Sequence, residues 1–325
     1  MLDDFTPWLP LVAVFTFLAG SGLILWRLEA LGRRGFQGTL LGTLVTPYCS
    51  GLGNLVFVAV MLRAGGAGEE VLVNSLVNNA TNLTLLLGLP AIFWALAVIP
   101  AGRARPRSRK VRQVLEQSRL GLCLSLVAAG FFVGVLWWLG RDGTLGRTDG
   151  GTLVALFLFW QTYSVYEVLR AHVSGAGLLS PWLVVDVAIL LLAAVGQYWS
   201  IEHLVGWVMA QDSGWIRPDH LGWLSGWLMV APNALLALYY ARQNKPDIVY
   251  SSQVGDGHIC IPLCVGLFAL VEPIPVPAFL DTAALILGAA IALHLALLAI
   301  LGRLPRWAGV ALVGAYGAFC YWGLV

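Results

Sequence analysis

Charge is what this sequence has least of: 11% of its 325 residues are Asp, Glu, Lys or Arg, against 59% hydrophobic residues. A soluble domain carries about a quarter of its residues charged, so with a mean hydropathy of +0.81 an aqueous surface is excluded and a bilayer is expected. The net charge of +2 is too small to point to nucleic acid, and no glycine-rich phosphate loop follows a strand. No Ser/His/Asp, Cys/His or HExxH arrangement stands out either, so an enzyme is not expected and no cofactor is called for. The five cysteines, Cys49, Cys123, Cys260, Cys264 and Cys320, are scattered through apolar segments without paired spacing and read as free thiols. The stretch MLDDF lacks the basic start and small-residue cleavage site of a secretory signal, so the first apolar run is expected to stay as a helix.

What is present is a series of apolar windows near the ~20 residues that cross a hydrocarbon core. They give ten candidate spans, at 8–32, 37–63, 69–98, 119–140, 151–171, 181–210, 221–242, 247–270, 279–301 and 306–325. Of the 19 Lys and Arg residues, all but Arg63, Arg141, Arg147 and Arg217 fall on one side of that arrangement. The positive-inside rule then puts both termini outside and the basic loop around 99–118 in the cytoplasm. That loop reads as an orientation signal, although basic juxtamembrane segments also attract anionic lipid. The partners expected are the bilayer and transported ions, with no nucleic acid and no sign of an oligomeric state. Compactness suggests a bacterial inner membrane.

The chain also repeats itself. NLVFVAVMLRAGGAGEEVLVNSLVNNATNLTLLLGL in the first half aligns with NALLALYYARQNKPDIVYSSQVGDGHICIPLCVGL in the second, setting Asn54 over Asn233, Asn78 over Asp256 and Gly88 over Gly266. The copies occupy spans 2 and 3 and spans 7 and 8. Five spans separate them, an odd number, so they run in opposite senses through the membrane. The expected architecture is an all-α membrane protein of two inverted five-helix repeats, 1–140 and 150–325, with a polar site near the midplane where they meet. Gly51, Gly53, Pro232, Gly255 and Gly257 punctuate spans 2, 3, 7 and 8, which are expected to be discontinuous there.

With these repeats the sequence resembles the calcium/cation antiporter superfamily of sodium/calcium exchanger-like membrane proteins. The resemblance implies ten helices, a GTSLPE-like and a GSNIFN-like turn in each repeat, and alternating access with spans 1 and 6 sliding against the other eight. Position by position, CSGLGN (49–54) stands for the first turn, with Ser50 keeping a hydroxyl and Asn54 in place of an ion-binding glutamate. LMVAPN (228–233) stands for its counterpart, with Asn233 replacing the second glutamate. In VNNATN, Asn78 takes the serine position and Asn82 matches the asparagine; in GDGHIC, Asp256 takes the serine position and Cys260 the asparagine or aspartate position.

Charge decides what such a site holds. Calcium takes six to eight oxygen ligands and its affinity rises with carboxylates. Here one carboxylate, Asp256, stands with the amides of Asn54, Asn78, Asn82 and Asn233 and the Ser50 hydroxyl, so a sodium ion or a proton fits better than calcium. Asn74, Asn78 and Asn82 recur every four residues and share one helical face, which is expected to look onto a polar cavity because each unsatisfied amide in hydrocarbon costs several kcal/mol. Asparagines also bond between packed helices, and that reading stays open. A carboxylate at mid-membrane depth costs about 2.5 to 3.5 kcal/mol or more and marks ion or proton pathways, so Asp256 is the principal candidate, for a metal cation with Asn54 and Asn233 and for reversible protonation. His258 could relay protons or simply bond a neighbouring helix. Cys49, His258 and Cys260, read with Asp256, also raise a transition-metal alternative, since thiolate and imidazole suit zinc or copper(I). The rival class is a non-transporting membrane sensor or structural relative that has lost the ion site.

Overall fold

A computed structural model describes residues 8–33, 51–100, 108–170 and 181–324. Helices fall within all ten expected spans. Span 1 is α1 (Leu9–Arg33) and span 2 contains α2 (Leu52–Ala64). Span 3 is α3 (Gly68–Ala80), a π-helical turn (Thr81–Leu85) and α4 (Leu86–Trp94). Spans 4 to 7 are α5 (Arg109–Leu139), α6 (Arg147–Arg170), α7 (Pro181–Met209) and α8 (Leu221–Arg242). Span 8 is α9 (Pro246–Ile259), a second π turn (Cys260–Val265) and α10 (Gly266–Val271), followed by α11 (Leu280–Leu301) and α12 (Arg306–Leu324). Eight of these segments are long and apolar enough to cross a membrane, and α2 is a shorter apolar helix.

Local chemistry sets several ends. Gly65, at φ 63°, closes α2 in the left-handed conformation with its N–H bonded to the Met61 carbonyl, and Pro246 opens α9, where its missing N–H is harmless. Polar side chains are sequestered inside, beside a large apolar core, and the perimeter is apolar. Asn54, Asn74, Asn78, Asn79, Asn82, Asn233, Gln253, Asp256 and His294 are buried, whereas Leu191, Leu192, Val195, Leu285 and Ile300 are exposed. That inversion of the soluble pattern is what a lipid solvent requires.

The helix pairing has a regularity of its own. Span 1 packs on span 6 and span 4 on span 9, span 3 lies against spans 7 and 10, and span 8 lies against spans 2 and 5. Exchanging each span with the one five places along the chain maps this pattern onto itself. The loops follow the same rule. Ala97 bridges to Arg303 between the loop after span 3 and the loop after span 9, and Thr144–Leu145 pairs antiparallel with Ile274–Pro275 between the loops after spans 4 and 8. Glycine contacts repeat it again, since a Cβ on Gly309 would stand 2.6 Å from the Gly88 carbonyl oxygen and one on Gly150 2.8 Å from the Gly266 carbonyl oxygen. Small residues bring backbones close where no hydrophobic effect drives helices together.

α1 and α7 form a peripheral pair that meets the rest mainly through α2 and α8. Within it Arg27 Nη1 lies 2.8 Å from Asp186 Oδ1, and Gln197 Nε2 donates to Ser21 Oγ at 2.8 Å.

The discontinuities differ from expectation. α8 runs unbroken through Pro232, and α9 through Gly255 and Gly257. One missing N–H removes a single helical bond, which the packed neighbours of α8 accommodate. Gly257 instead makes room for the Asn79 side chain, which a Cβ there would strike. The breaks are the two π turns, which begin three residues after Asn78 and four after Asp256. Hydroxyls serve the widened backbone of the first, with Thr81 Oγ1 donating to the Val77 carbonyl at 2.7 Å and Thr84 Oγ1 to that of Ala80. Pro262, which lacks a donor, sits inside the second. For span 2, α2 begins just after Gly51 and runs unbroken through Gly53, where a break was expected, and the part of the span before Gly51 lies outside the described residues.

Candidate functional site

Asp256 is fully buried on α9, two helical turns and more from either end of its span. Two amides reach its carboxylate from different elements. Asn82 Nδ2, in the first π turn, donates to Asp256 Oδ2 at 2.9 Å, and Asn233 Nδ2, on α8, donates to the same oxygen at 3.1 Å. Asn82 Nδ2 also donates to Asn78 Oδ1 at 2.8 Å, and Asn78 Nδ2 lies 3.4 Å from Asn54 Oδ1 on α2. The chain of contacts Asn54, Asn78, Asn82, Asp256, Asn233 therefore joins spans 2, 3, 7 and 8. Hydrogen bonds to a charged acceptor are the stronger kind, about 1.5–3 kcal/mol each, so the carboxylate is held by donors from both halves of the chain.

Backbone proximity makes this possible. α8 presses on α3 through Gly222 and Gly226, where Cβ atoms would stand 2.6 Å from the Glu70 carbonyl oxygen and 2.8 Å from Val77 Cβ. Glu70 also receives the Gly222 N–H, capping the start of α8. One turn along, Asn74 Nδ2 donates to Ser225 Oγ at 2.9 Å, which fixes the register of the asparagine face.

Of the other expected site residues, His258 turns away from the asparagines. His258 Nε2 bonds the Ser125 carbonyl on α5 at 2.8 Å, and its ring meets Phe132 and Trp160 edge-on at 5.7 and 4.9 Å. It joins α9 to spans 4 and 5 rather than to the asparagines, because two residues along a helix turn about 200°. Cys260 opens the second π turn, where its carbonyl accepts from Ser75 Oγ at 3.2 Å. Ser50 lies outside the described residues, as does Cys49. Among the described residues no three His, Cys, Asp or Glu side chains gather as a metal centre, which leaves the transition-metal alternative without a ligand set there.

Other polar residues enter that spacing and repeats did not flag. Gln253, one turn before Asp256, donates from Nε2 to the Asn233 carbonyl at 3.3 Å and to Ser252 Oγ at 2.9 Å. His294 on α11 bonds the Leu83 carbonyl of the first π turn through Nε2 at 2.8 Å, and its Nδ1 meets the Tyr250 hydroxyl at 3.1 Å. Tyr316 on α12 accepts from Trp227 Nε1 at 2.7 Å and lies 3.2 Å from Thr81 Oγ1. The i, i+3 spacing of Gln253 and Asp256 was the one sequence signal for Gln253. His294 and Tyr316 carry none, since each acts across to another span.

A family model described as "Sodium/calcium exchanger protein" matches residues 5–166 and 185–325. Solved structures of the sodium-calcium exchanger NCX_Mj share the fold. One, soaked with 2.5 mM Na+ and 1 mM Sr2+, superposes with a TM-score of 0.67 at 17% identity over 96% of both chains. Another, with 10 mM Na+ and zero Ca2+, gives 0.65 at 17% identity over the whole of both. No curated protein matches the sequence.

Proposed function

This chain belongs to the sodium/calcium exchanger protein family, whose members are membrane transporters and not enzymes, and on that premise we propose that it exchanges monovalent cations, sodium- or proton-coupled, by alternating access at Asp256. It is an integral, multi-pass membrane protein of the cation-antiporter kind, with the bilayer and transported ions as its partners. The observation that carries the finer reading is the single buried carboxylate, bonded by amides from spans 3 and 7.

The chemistry follows from charge. A bare carboxylate is costly at mid-membrane depth, and either one proton or one monovalent cation neutralises it. Rotating the Asn82 and Asn233 amides about their last torsion replaces N–H donors by carbonyl oxygens, so the same side chains serve the acid in one state and a cation in the other. Two mutually exclusive neutral states are what exchange needs. The symmetric pairing of spans supports the reading of two inverted repeats around this site, and the Arg27–Asp186 pair supports α1 and α7 moving as one body against the rest. The basic residues support a cytoplasmic loop after span 3 with both termini outside, and we take a bacterial inner membrane as the setting.

The test is flux into proteoliposomes under imposed sodium or proton gradients, with sodium, potassium, calcium and zinc offered in turn. Gradient-driven monovalent flux is expected. Folded, inserted protein that moves none of them would refute the reading in favour of a non-transporting relative.

A further inference from the structure

Around Asp256 the donor ends of three amides are engaged while their acceptor ends are not. Asn82 Oδ1, Asn233 Oδ1 and Gln253 Oε1 are all buried, and none has a hydrogen-bond partner among the described residues. Buried polar atoms are nearly always satisfied, so three such oxygens on side chains bonded to Asp256 or to its partner Asn233 call for a donor or a cation, and beside a buried carboxylate a cation serves all of them at once. Asn82 and Asn233 belong to the site already described. Gln253 does not: it is fully buried, stands one turn before Asp256 on the same face of α9, and has its Nε2 held by the Asn233 carbonyl and Ser252 Oγ. Holding the nitrogen fixes which end of the amide is left for a ligand.

We propose that Gln253 is a cation ligand and that its neutrality sets the preference of the site for single over double charge. The inference rests on the cation-antiporter reading and deepens it. Asp256 with the oxygens of Asn82, Asn233 and Gln253 makes a set of one negative charge and three neutral dipoles. Divalent calcium in such a set keeps an uncompensated positive charge in a low-dielectric interior, whereas sodium or potassium is neutralised. Glutamate has nearly the shape of glutamine, so Gln253→Glu changes the charge of the set with little change in its size.

The test reads ion binding without requiring transport. The full chain in detergent is unfolded thermally at increasing sodium, potassium or calcium chloride, with N-methylglucamine chloride matching ionic strength, because a ligand of the folded state raises the midpoint according to its affinity. Gln253→Leu is expected to weaken monovalent protection at least tenfold, and Gln253→Glu to strengthen calcium protection at least tenfold relative to the parent. If Gln253→Leu does not fold, Gln253→Asn, one methylene shorter, carries the same expectation of weakened protection. Unchanged ion midpoints in the Gln253 variants, with protection lost in Asp256→Asn, overturn this inference and leave the Asp256 site standing. Protection that survives Asp256→Asn, or a parent that no ion protects specifically, overturns both.

Discussion

Replacing Asp186 by leucine leaves the Arg27 guanidinium without its carboxylate in the interface between α1 and α7. The pair is 2.8 Å apart, and the two side chains are 11% and 1% exposed, so solvent offers little compensation. Removing one partner of a buried ion pair costs about 3–5 kcal/mol, whereas replacing both by apolar residues of similar volume is often neutral or stabilising. Arginine can extend its head toward the membrane surface, which puts Asp186→Leu near the low end, about 3 kcal/mol. The double variant Arg27→Leu, Asp186→Leu is expected to recover most of that loss. Reversible unfolding in mixed micelles, followed by helical circular dichroism, gives the three differences needed for a double-mutant cycle. Arg27→Leu strands the Asp186 carboxylate at a similar cost, so the two single losses are expected to exceed the double loss by about 5 kcal/mol, and losses that add within about 0.5 kcal/mol would refute the claim that this pair fastens α1 to α7. If the two helices move together, the double variant also keeps its transport while the single variants lose it along with stability.

Two further outcomes follow from the site. His294→Leu deprives the Leu83 carbonyl and the Tyr250 hydroxyl of their shared partner, and with about 1–3 kcal/mol for each stranded buried group the cost is about 2–6 kcal/mol, measured in the same unfolding assay. A loss below about 0.5 kcal/mol would mean that the first π turn does not depend on span 9. Exchange of one proton for one monovalent cation moves no net charge, so clamping proteoliposomes at different membrane potentials is expected to leave its rate unchanged. A cycle that moves one net charge across the membrane would instead feel about 2.3 kcal/mol per 100 mV, and a clear potential dependence excludes one-for-one exchange.

The spans were legible because a bilayer demands long apolar runs, and hydropathy measures that demand directly. It measures the bilayer rather than the helix, however, which is why α5 begins at Arg109, ten residues ahead of its apolar window, in a basic stretch of good helix formers with a Glu116–Arg119 pair at 2.7 Å. Glycine and proline were poor guides to the interruptions. Pro232 lies inside a continuous α8, while the π turns arise where Thr81, Thr84, Ser75 and His294 supply bonds that a regular helix does not need, and those partners come partly from distant spans. Asn54, Asn78, Asn233 and Asp256 could be found because the repeats align them, and Asn82 because it lies one turn after Asn78 on the same helical face; the structure brings all five into one hydrogen-bonded set. His258 was drawn in by nearness along the chain, which in a helix sets it on the opposite side. Gln253 was hidden because its counterpart in the first repeat is Ser75, so the alignment that revealed the asparagines had nothing to match it with.

The most direct measurement is gradient-driven sodium and proton flux in proteoliposomes bearing the parent or Asp256→Asn, the variant that keeps the shape of the residue and removes its charge. Coupled monovalent flux in the parent that disappears in the variant is the predicted result. Equal flux in both would contradict a mechanism built on the Asp256 carboxylate.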